Sequence, residues 1–454
     1  MFQTPRSTYP WNEEPRTGWK RYLYAVLAAE ISTSTRFFDE CVQLSPLPHD
    51  GGLLFEALQC PAKRVAASVG QVPDARRTPD RRVALLLNGN FNYLTDVQQD
   101  LSNLRPKLSR HTRLFVLMYN PFMSFLYTLA SWLGLRHAPR PDVFLSEANL
   151  RTVAQLAGFQ IVRIRPSVYL PIRVPLVSNL VNRILPIVPL VRRMSLAWVV
   201  VLRPIVAEAR RPSLSIVVPA RNEAGNIDNV VRQIPRLEGT DMELIFVGGK
   251  STDATWQRIQ DVVTQPNEGL RTAAFRQPGT GKNDAVRVGF ERATGDLVVI
   301  LDADLSVLPK MLPRFYQAYC QGMADLINGN RLVYPMEAGA MRPLNRIGNI
   351  LFARTLAWIL GLNIGDSLCG TKLLNRQDYH RMVAWRNRFG DFDPFGDFEL
   401  LFAASELALG VIDVPIRYAA RTYGETNIRR FHHGFQLARM MAIGLVRVFL
   451  GKVR

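Results

Sequence analysis

The stretch Gly295 to Leu305, GDLVVILDADL, constrains this chain more than any other. Its centre, Leu297 to Leu301, is an uninterrupted run of β-formers, the pattern of a strand buried on both faces of a parallel sheet. It runs straight into Asp302-Ala303-Asp304. In an extended chain the side-chain period of two sends both carboxylates to one side, at the carboxyl end of the strand, where open α/β sheets bind ligands. Two acids at such an edge are costly unless a cation neutralises them. Their hard oxygens suit Mg²⁺ or Mn²⁺ held together with substrate phosphates. The plainer alternative is a helix cap, with Asp304 starting a helix near Val307.

At 454 residues the chain is too long for one typical domain. Apolar residues make up 48%, which excludes a disordered protein. Cys41, Cys60, Cys320 and Cys369 form no Cys-X-X-Cys pair, which argues against a zinc site or disulfide framework and fits a reducing compartment. The N-terminus has no apolar core and does not read as a signal peptide. No run reaches the length of a membrane span, so none is expected. The net charge of +18 points toward a polyanion: nucleic acid, anionic lipid or phosphorylated small molecules. No tight Lys/Arg cluster interleaved with aromatics supports nucleic acid.

Residues 1–36 read as a lead-in with a weak helical pattern from Trp19 to Ser34. The order of elements over 37–206 suggests a first α/β domain. Strands are expected at Arg82–Leu87, His111–Tyr119 and Phe159–Ile164, with helices at Thr95–Leu104 and Phe125–Leu135. The segments NFNYLTDVQQDLSNLRPKLSRHTRLFVLMYN and LSEANLRTVAQLAGFQIVRI resemble the C-terminal half of the class I methyltransferase fold. That resemblance implies a Rossmann-type sheet and S-adenosylmethionine held on a Gly-rich turn, with an acid on the ribose. The chain departs from it. Pro46 and Pro48 stand where glycines are expected, and Val65 to Gly70 contains no carboxylate. Proline supplies no N–H and cannot adopt glycine's conformations, so the domain reads as a non-catalytic relic. The stretch from Leu170 to Val200 is an apolar insertion broken by Pro171, Pro175, Pro186 and Pro189 and dotted with Arg173, Arg183, Arg192 and Arg193. It reads as a basic, apolar surface on a membrane, or else as a packed interdomain segment.

A linker at 207–213 leads into a second domain, 214–428. Ser215–Ala220, Glu243–Val247, Leu270–Phe275 and the Asp-X-Asp strand are each followed by a loop and a helical pattern, which predicts a doubly wound parallel sheet. The loop from Gly248 to Thr255 opens a helix and suits phosphate. VVPARNEAGNI, KSTDAT, GTGKNDAVRVGF and DLVVILDADLS, in this order, resemble glycosyltransferase family 2 with its GT-A nucleotide-sugar fold. Within that family it looks most like the dolichol- and polyprenyl-phosphate sugar synthases. The resemblance implies that Pro219, Ala220, Asn222 and Glu223 line the nucleotide pocket and that Asp253 and Lys282 face the nucleotide. It also implies that Asp302 and Asp304 hold Mg²⁺ or Mn²⁺ on the diphosphate. A cation there stabilises the charge that the departing nucleoside diphosphate gains. The family usually has an acid after the second strand to bind the nucleobase. Here that position is Gly248, so either backbone groups and Glu223 hold the base or donor affinity falls.

On the acceptor side, the resemblance places phosphate on Arg331 and Arg346, the latter on an apolar helix from Leu344 to Leu362 that meets the membrane. Arginine's fork suits phosphate oxygens. Arg421 opens a loop, to Asn427, resembling one that closes over the donor. Asp397 and Glu399 match an acidic acceptor-side motif and would act as base for a hydroxyl acceptor, or simply begin a helix. Residues 429–454 read as a basic, apolar helix suited to an anionic leaflet. The resulting expectation is a peripheral enzyme on the cytoplasmic face of the membrane. It would move a sugar from a nucleotide-diphosphate sugar to polyprenyl phosphate. The alternatives are a hydroxyl acceptor on a glycan or lipid, a methyltransferase–glycosyltransferase fusion, and a catalytically degenerate scaffold.

Overall fold

The computed structural model describes residues 18–47, 52–78, 80–133, 141–189, 191–337, 339–390, 393, 395–421, 423 and 430–450. The chain divides into two units, 1–205 with 445–454, and 206–444. In unit 1 the strands are β1 (Glu40–Leu44), β2 (Ala62–Ala66), β3 (Val83–Asn88), β4 (Arg113–Tyr119), β5 (Phe159–Ser167) and β6 (Ala197–Pro204). They form one sheet in the order β2-β1-β3-β4-β6-β5, parallel through β4 and antiparallel at β6. The helix Val97–Leu104 is capped by Asp96, whose Oδ1 accepts the Gln99 N–H at 2.9 Å.

The Leu170–Val200 stretch differs from its sequence reading. Its last residues belong to β6, a buried strand inserted between β4 and β5, and only the part before it is an excursion from the sheet. Eight uninterrupted residues from Ala197 are buried, which a loop could not sustain with its backbone groups unpaired.

Unit 2 is built on β7 (Leu214–Ala220), β8 (Met242–Gly248), β9 (Arg271–Arg276), β10 (Leu297–Ile300), β11 (Leu326–Asn330), β12 (Lys372–Asn375) and β13 (Val411–Pro415). Their order is β13-β11-β12-β10-β7-β8-β9. The four strands β7 to β10 are parallel; β10 is an uninterrupted buried apolar run, whereas β9, RTAAFR, is the half-exposed edge of the sheet. β12 is an antiparallel insertion between β10 and β11, so the sheet is mixed. The chain steps outward from β7 through β8 to β9, then returns to lay β10 on the other side of β7. The order therefore reverses between β7 and β10, and a crevice opens there at the carboxyl ends of the strands.

The helix Lys282–Arg292 crosses β7 so closely that a Cβ on Gly289 would clash with the Val217 side chain. Its first residue is Lys282, so this contact also fixes where that ammonium starts. Gly289→Ala overpacks the contact, which typically costs about 1–3 kcal/mol. Urea unfolding of the variant should show a lower midpoint with an unchanged slope.

Candidate functional site

The crevice is assembled from the loops after β7 and β10. The ladder between β7 and β10 ends at Val217 and Ile300, so Pro219, which lacks an N–H, sits where β10 has already departed. Pro219 and Ala220 still pair with β8 and form the floor. Asn222 then takes a left-handed conformation (φ 57°) that turns the chain over the next loop. Its N–H donates to Ser251 Oγ at 3.1 Å, and its Oδ1 accepts the Thr252 N–H at 2.8 Å. The Glu223 N–H donates to Thr255 Oγ1 at 2.8 Å. Asp253 accepts from the Thr255 N–H at 3.0 Å, from its hydroxyl, and from the Ala224 N–H at 3.3 Å. Burial raises its pKa, but these donors together hold it below the ordinary value. Its carboxylate is committed to bracing one loop against the other.

Beyond β10 the chain does not stay extended. Residues 303–304 turn and Leu305 has φ 56°, so the carboxylates reach the crevice through a turn and not through strand alternation. Asp302 Oδ1 lies 2.5 Å from Lys282 Nζ. Burial opposes both charges, yet the pair holds: the ammonium is raised above its ordinary value and the Asp302 carboxyl lowered. Asp304 is buried; its Oδ1 accepts the Ser306 N–H at 3.0 Å and hydroxyl at 2.7 Å, and its Oδ2 lies 2.7 Å from Arg421. Asp304 thus caps a turn, with no helix at Val307, and carries an ion pair as well. Gly370 overlies the first pair, since a Cβ there would meet Lys282 Nζ and lie 2.6 Å from Asp302 Oδ2. Tyr423 packs on Gly225, whose Cβ would lie 2.6 Å from the ring, so the stretch around Arg421 straps down over the β7 loop. Residues 422 and 424–427 of the expected closing loop lie outside the described residues.

Glu223 faces the same cluster. Burial pushes its pKa up to about 7; the Asn226 amide, donating at 2.7 Å, opposes this, and the Asp304 charge adds to it. The oxygens of Asp302 and Asp304 are the hard donors a divalent cation takes, which fits Mg²⁺ or Mn²⁺. Lys282 and Arg421 already balance them, so a cation would have to share or displace those partners. Among the described residues no group of three His, Cys, Asp or Glu is arranged to hold a metal by itself.

The remaining candidates separate. Arg331 follows β11 and grips Asp366 bidentately, at 2.7 and 2.9 Å, beneath the Tyr418 ring. Asp366 is fully buried; desolvation works against its charge, but Arg331 holds it low. Arg331 also exerts its field on Asp302. Arg346 is exposed on the helix Pro343–Leu360, away from any ion pair among the described residues. Asp397 accepts from the fully buried Lys372 at 2.7 Å. Glu399 is buried between Arg386 (2.6 Å), Arg287 and Asn283 (3.2 Å). These are the enclosed contacts of a packed helix start, which Asp393 caps by accepting the Phe398 and Glu399 N–H groups at 2.8 and 2.9 Å. Neither carboxylate is poised as a free base.

At Gly248 the structure supplies something the sequence did not suggest. The space a side chain would fill is taken by Trp256, 2.5 Å from the notional Cβ, and the Arg276 guanidinium lies 4.5 Å over that ring. The edge of the crevice beyond β8 is therefore a stacked Trp–Arg surface in place of a carboxylate. Its signal was the aromatic residue opening the helix Thr255–Thr264 one strand before an arginine.

Residues 215–382 match the family model described as Glycosyl transferase family 2, so unit 2 carries a domain of that family. Three relatives are similar over about half of this chain. An undecaprenyl-phosphate 4-deoxy-4-formamido-L-arabinose transferase of Enterobacter sp. (strain 638) is 26% identical, over 47% of this chain and 62% of its own length. A low-salt glycan biosynthesis hexosyltransferase of Haloferax volcanii is 28% identical, over 51% and 54%. A dolichol-phosphate mannosyltransferase of Pyrococcus furiosus is 32% identical, over 48% and 59%. The chain thus spans less than two thirds of each. Among solved structures, glucosyl-3-phosphoglycerate synthase from Mycobacterium tuberculosis with Mn²⁺, UDP and phosphoglyceric acid is 20% identical over 52% of this chain and 78% of that one, with a TM-score of 0.38.

The raised Glu223 pKa carries a pH signature. An acid whose folded pKa is raised contributes stability through its bound proton. That contribution is complete below the ordinary value of 4.5 and is lost as pH climbs through about 7. Glu223→Gln keeps the neutral form at every pH. Its melting temperature should exceed that of the wild type by several degrees at pH 8 and converge with it near pH 4.5.

Proposed function

We propose, from the family 2 glycosyltransferase domain that unit 2 carries, that this protein transfers a sugar from a nucleotide-diphosphate sugar to a lipid-linked phosphate such as polyprenyl phosphate. The observation that carries the reading is the pairing of Asp302 with Lys282 and Asp304 with Arg421 at the reversal between β7 and β10. Such a cluster offers carboxylates to a cation and cations to a diphosphate in one place. Asp302 and Asp304 would hold Mg²⁺ or Mn²⁺, which when bound offsets the charge developing on the leaving diphosphate. Lys282 and Arg421 donate to its oxygens, and Asn222, Asp253 and Glu223 keep the two nucleoside-side loops in register. The relatives named for undecaprenyl-phosphate and dolichol-phosphate transferases support the acceptor class and a sugar as the group moved.

A phosphate acceptor needs no base, because it is already ionised. The enclosure of Asp397 and Glu399 by Lys372, Arg287 and Arg386 favours it over a hydroxyl acceptor. Arg331, held by Asp366 and facing the Asp302 cluster, orients the phosphate. The helix Pro343–Leu360 exposes Leu344, Ile347 and Leu351 beside Arg346 and Arg354, a face suited to the cytoplasmic surface of a membrane. The terminal helix Arg430–Leu445 contributes less, since Leu437, Met440 and Met441 are buried and Gly444 packs on Phe402. No described helix is long and apolar enough to cross a membrane.

For unit 1 we hold to a methyltransferase-like relic without methyl transfer. Its strand order reverses between β1 and β3, and the crevice there is bridged by Asn90 Nδ2 donating to the Ser45 carbonyl at 2.7 Å. At the end of β2 stand Ala67 and Ser68, with no acid for a ribose.

Turnover tests the reading. With Mn²⁺ and a polyprenyl phosphate in detergent, release of nucleoside diphosphate should require both, and Asp304→Asn should lose about a hundredfold or more in kcat. Glu399→Gln should lower the melting temperature and leave turnover of the folded fraction within a few-fold. Lipid-independent turnover that Asp397→Asn abolishes would shift the acceptor to a hydroxyl.

A further inference from the structure

Unit 1 exposes a large apolar face that its own packing does not use. Two excursions build it: residues 121–133 after β4, and residues 168–196 between β5 and β6. Asn120 locks them together. Its Nδ2 donates to the carbonyls of Arg193 at 2.7 Å and Ser195 at 2.6 Å, and its N–H to Leu196 O at 3.1 Å. The Tyr127 hydroxyl donates to the same Leu196 carbonyl. Both excursions leave one edge of the sheet, since β5 runs parallel to β4 with β6 antiparallel between them. There Phe125, Leu129 and Trp132 from one excursion, and Leu176, Leu180 and Ile184 from the other, stand exposed, Trp132 at 81% and Leu176 at 89%. The first excursion also borders an open groove of about 720 Å³ against Pro141 and Phe144. Isolated exposed apolar residues are ordinary, but a set of large ones at one edge of a sheet marks a contact surface.

Three features say what the surface contacts. First, the second excursion satisfies its own backbone. Asn182 Oδ1 accepts the N–H groups of Tyr169 and Leu170 at 2.7 and 3.0 Å, and its Nδ2 donates to Leu170 O at 2.9 Å. Ser178 Oγ accepts the Val174 N–H and donates to Ile172 O, both at 2.7 Å. A water-exposed loop gains little from such pairing, whereas chain entering a hydrocarbon boundary needs it. Second, Leu176 is held at φ 62° at the tip, a strained conformation for leucine that buries nothing within unit 1. Third, residues 168–196 carry Arg173, Arg183, Arg192 and Arg193 and no acid, and residues 121–133 carry no charge at all. A second copy meeting the same face would set arginines against arginines.

We propose that this face docks unit 1 on an anionic lipid bilayer, with the apolar side chains at the headgroup–acyl boundary and the exposed Arg173 and Arg193 on the headgroups. This gives the unit without a catalytic crevice a role and deepens the reading of a lipid-linked acceptor, while every observation behind it lies in unit 1.

The test uses the full-length protein and phosphatidylcholine vesicles with or without phosphatidylglycerol. The wild type should co-sediment with the phosphatidylglycerol vesicles, less so at high salt. The double variant Trp132→Ser, Leu176→Ser should lose about tenfold or more in partition coefficient. Its melting temperature and its nucleoside diphosphate binding should match the wild type. Absence of wild-type binding overturns the proposal, as does undiminished binding by the variant. It is also overturned by a wild-type dimer in light scattering that the substitutions dissolve without any change in lipid binding. Vesicle binding that the double variant loses, in a wild type that binds no nucleoside diphosphate, supports this face and removes the glycosyltransferase reading instead.

Discussion

Unit 2 is arranged around a charge problem. Asp302 and Asp304 leave the central strand β10 into a partly desolvated crevice, with Glu223 close enough to feel them. Unbalanced carboxylates there would cost several kcal/mol each. The chain answers with one cation from each side. Lys282 comes from the first turn of the helix pressed onto β7, and Arg421 from the strap over the β7 loop. Gly370 is small enough to let its own loop close over the first pair. Burial, with the Asp304 charge adding to it, pushes the Glu223 pKa up to about 7.

The loops around these pairs are braced by the chain itself. Asp253, Asn222 and Thr255 tie the two nucleoside-side loops to one another. Arg331 and Asp366 do the same for the far wall, and Lys372 with Asp397 for the start of the helix Asp397–Glu406. A site held by its own ion pairs exchanges partners on binding without building them anew, which keeps ordering costs low.

Much of this was legible in the sequence, for identifiable reasons. β-formers followed by a loop and a helical pattern marked β7 to β10, and the loops after β7 and β10 held residues that meet in the crevice. What was not legible depended on distant partners. β12 is only four residues and antiparallel, too short for periodicity to register. β6 was concealed because the proline-broken stretch before it shares its composition. Asp397 and Glu399 read as acceptor-side acids until Lys372, Arg287 and Arg386, from three other elements, enclosed them. Gly248 read as a missing contact, whereas Trp256 and Arg276 fill its place. In unit 1 the prolines of the 170–194 stretch leave no room for a long helix, and the eight residues Val177–Ile184 form a short one between Pro175 and Pro186, stapled by Ser178 and Asn182.

The claim that Lys282 and Arg421 already neutralise the two aspartates is tested most directly by Mn²⁺ binding, followed by electron paramagnetic resonance with and without nucleoside diphosphate. Weak binding of the metal alone is expected, with a gain of about a hundredfold or more when the diphosphate engages the two cations and frees the carboxylates. Mn²⁺ binding equally tight in both cases would mean that the carboxylates stand free in solution, and the charge-balanced site described here would be wrong.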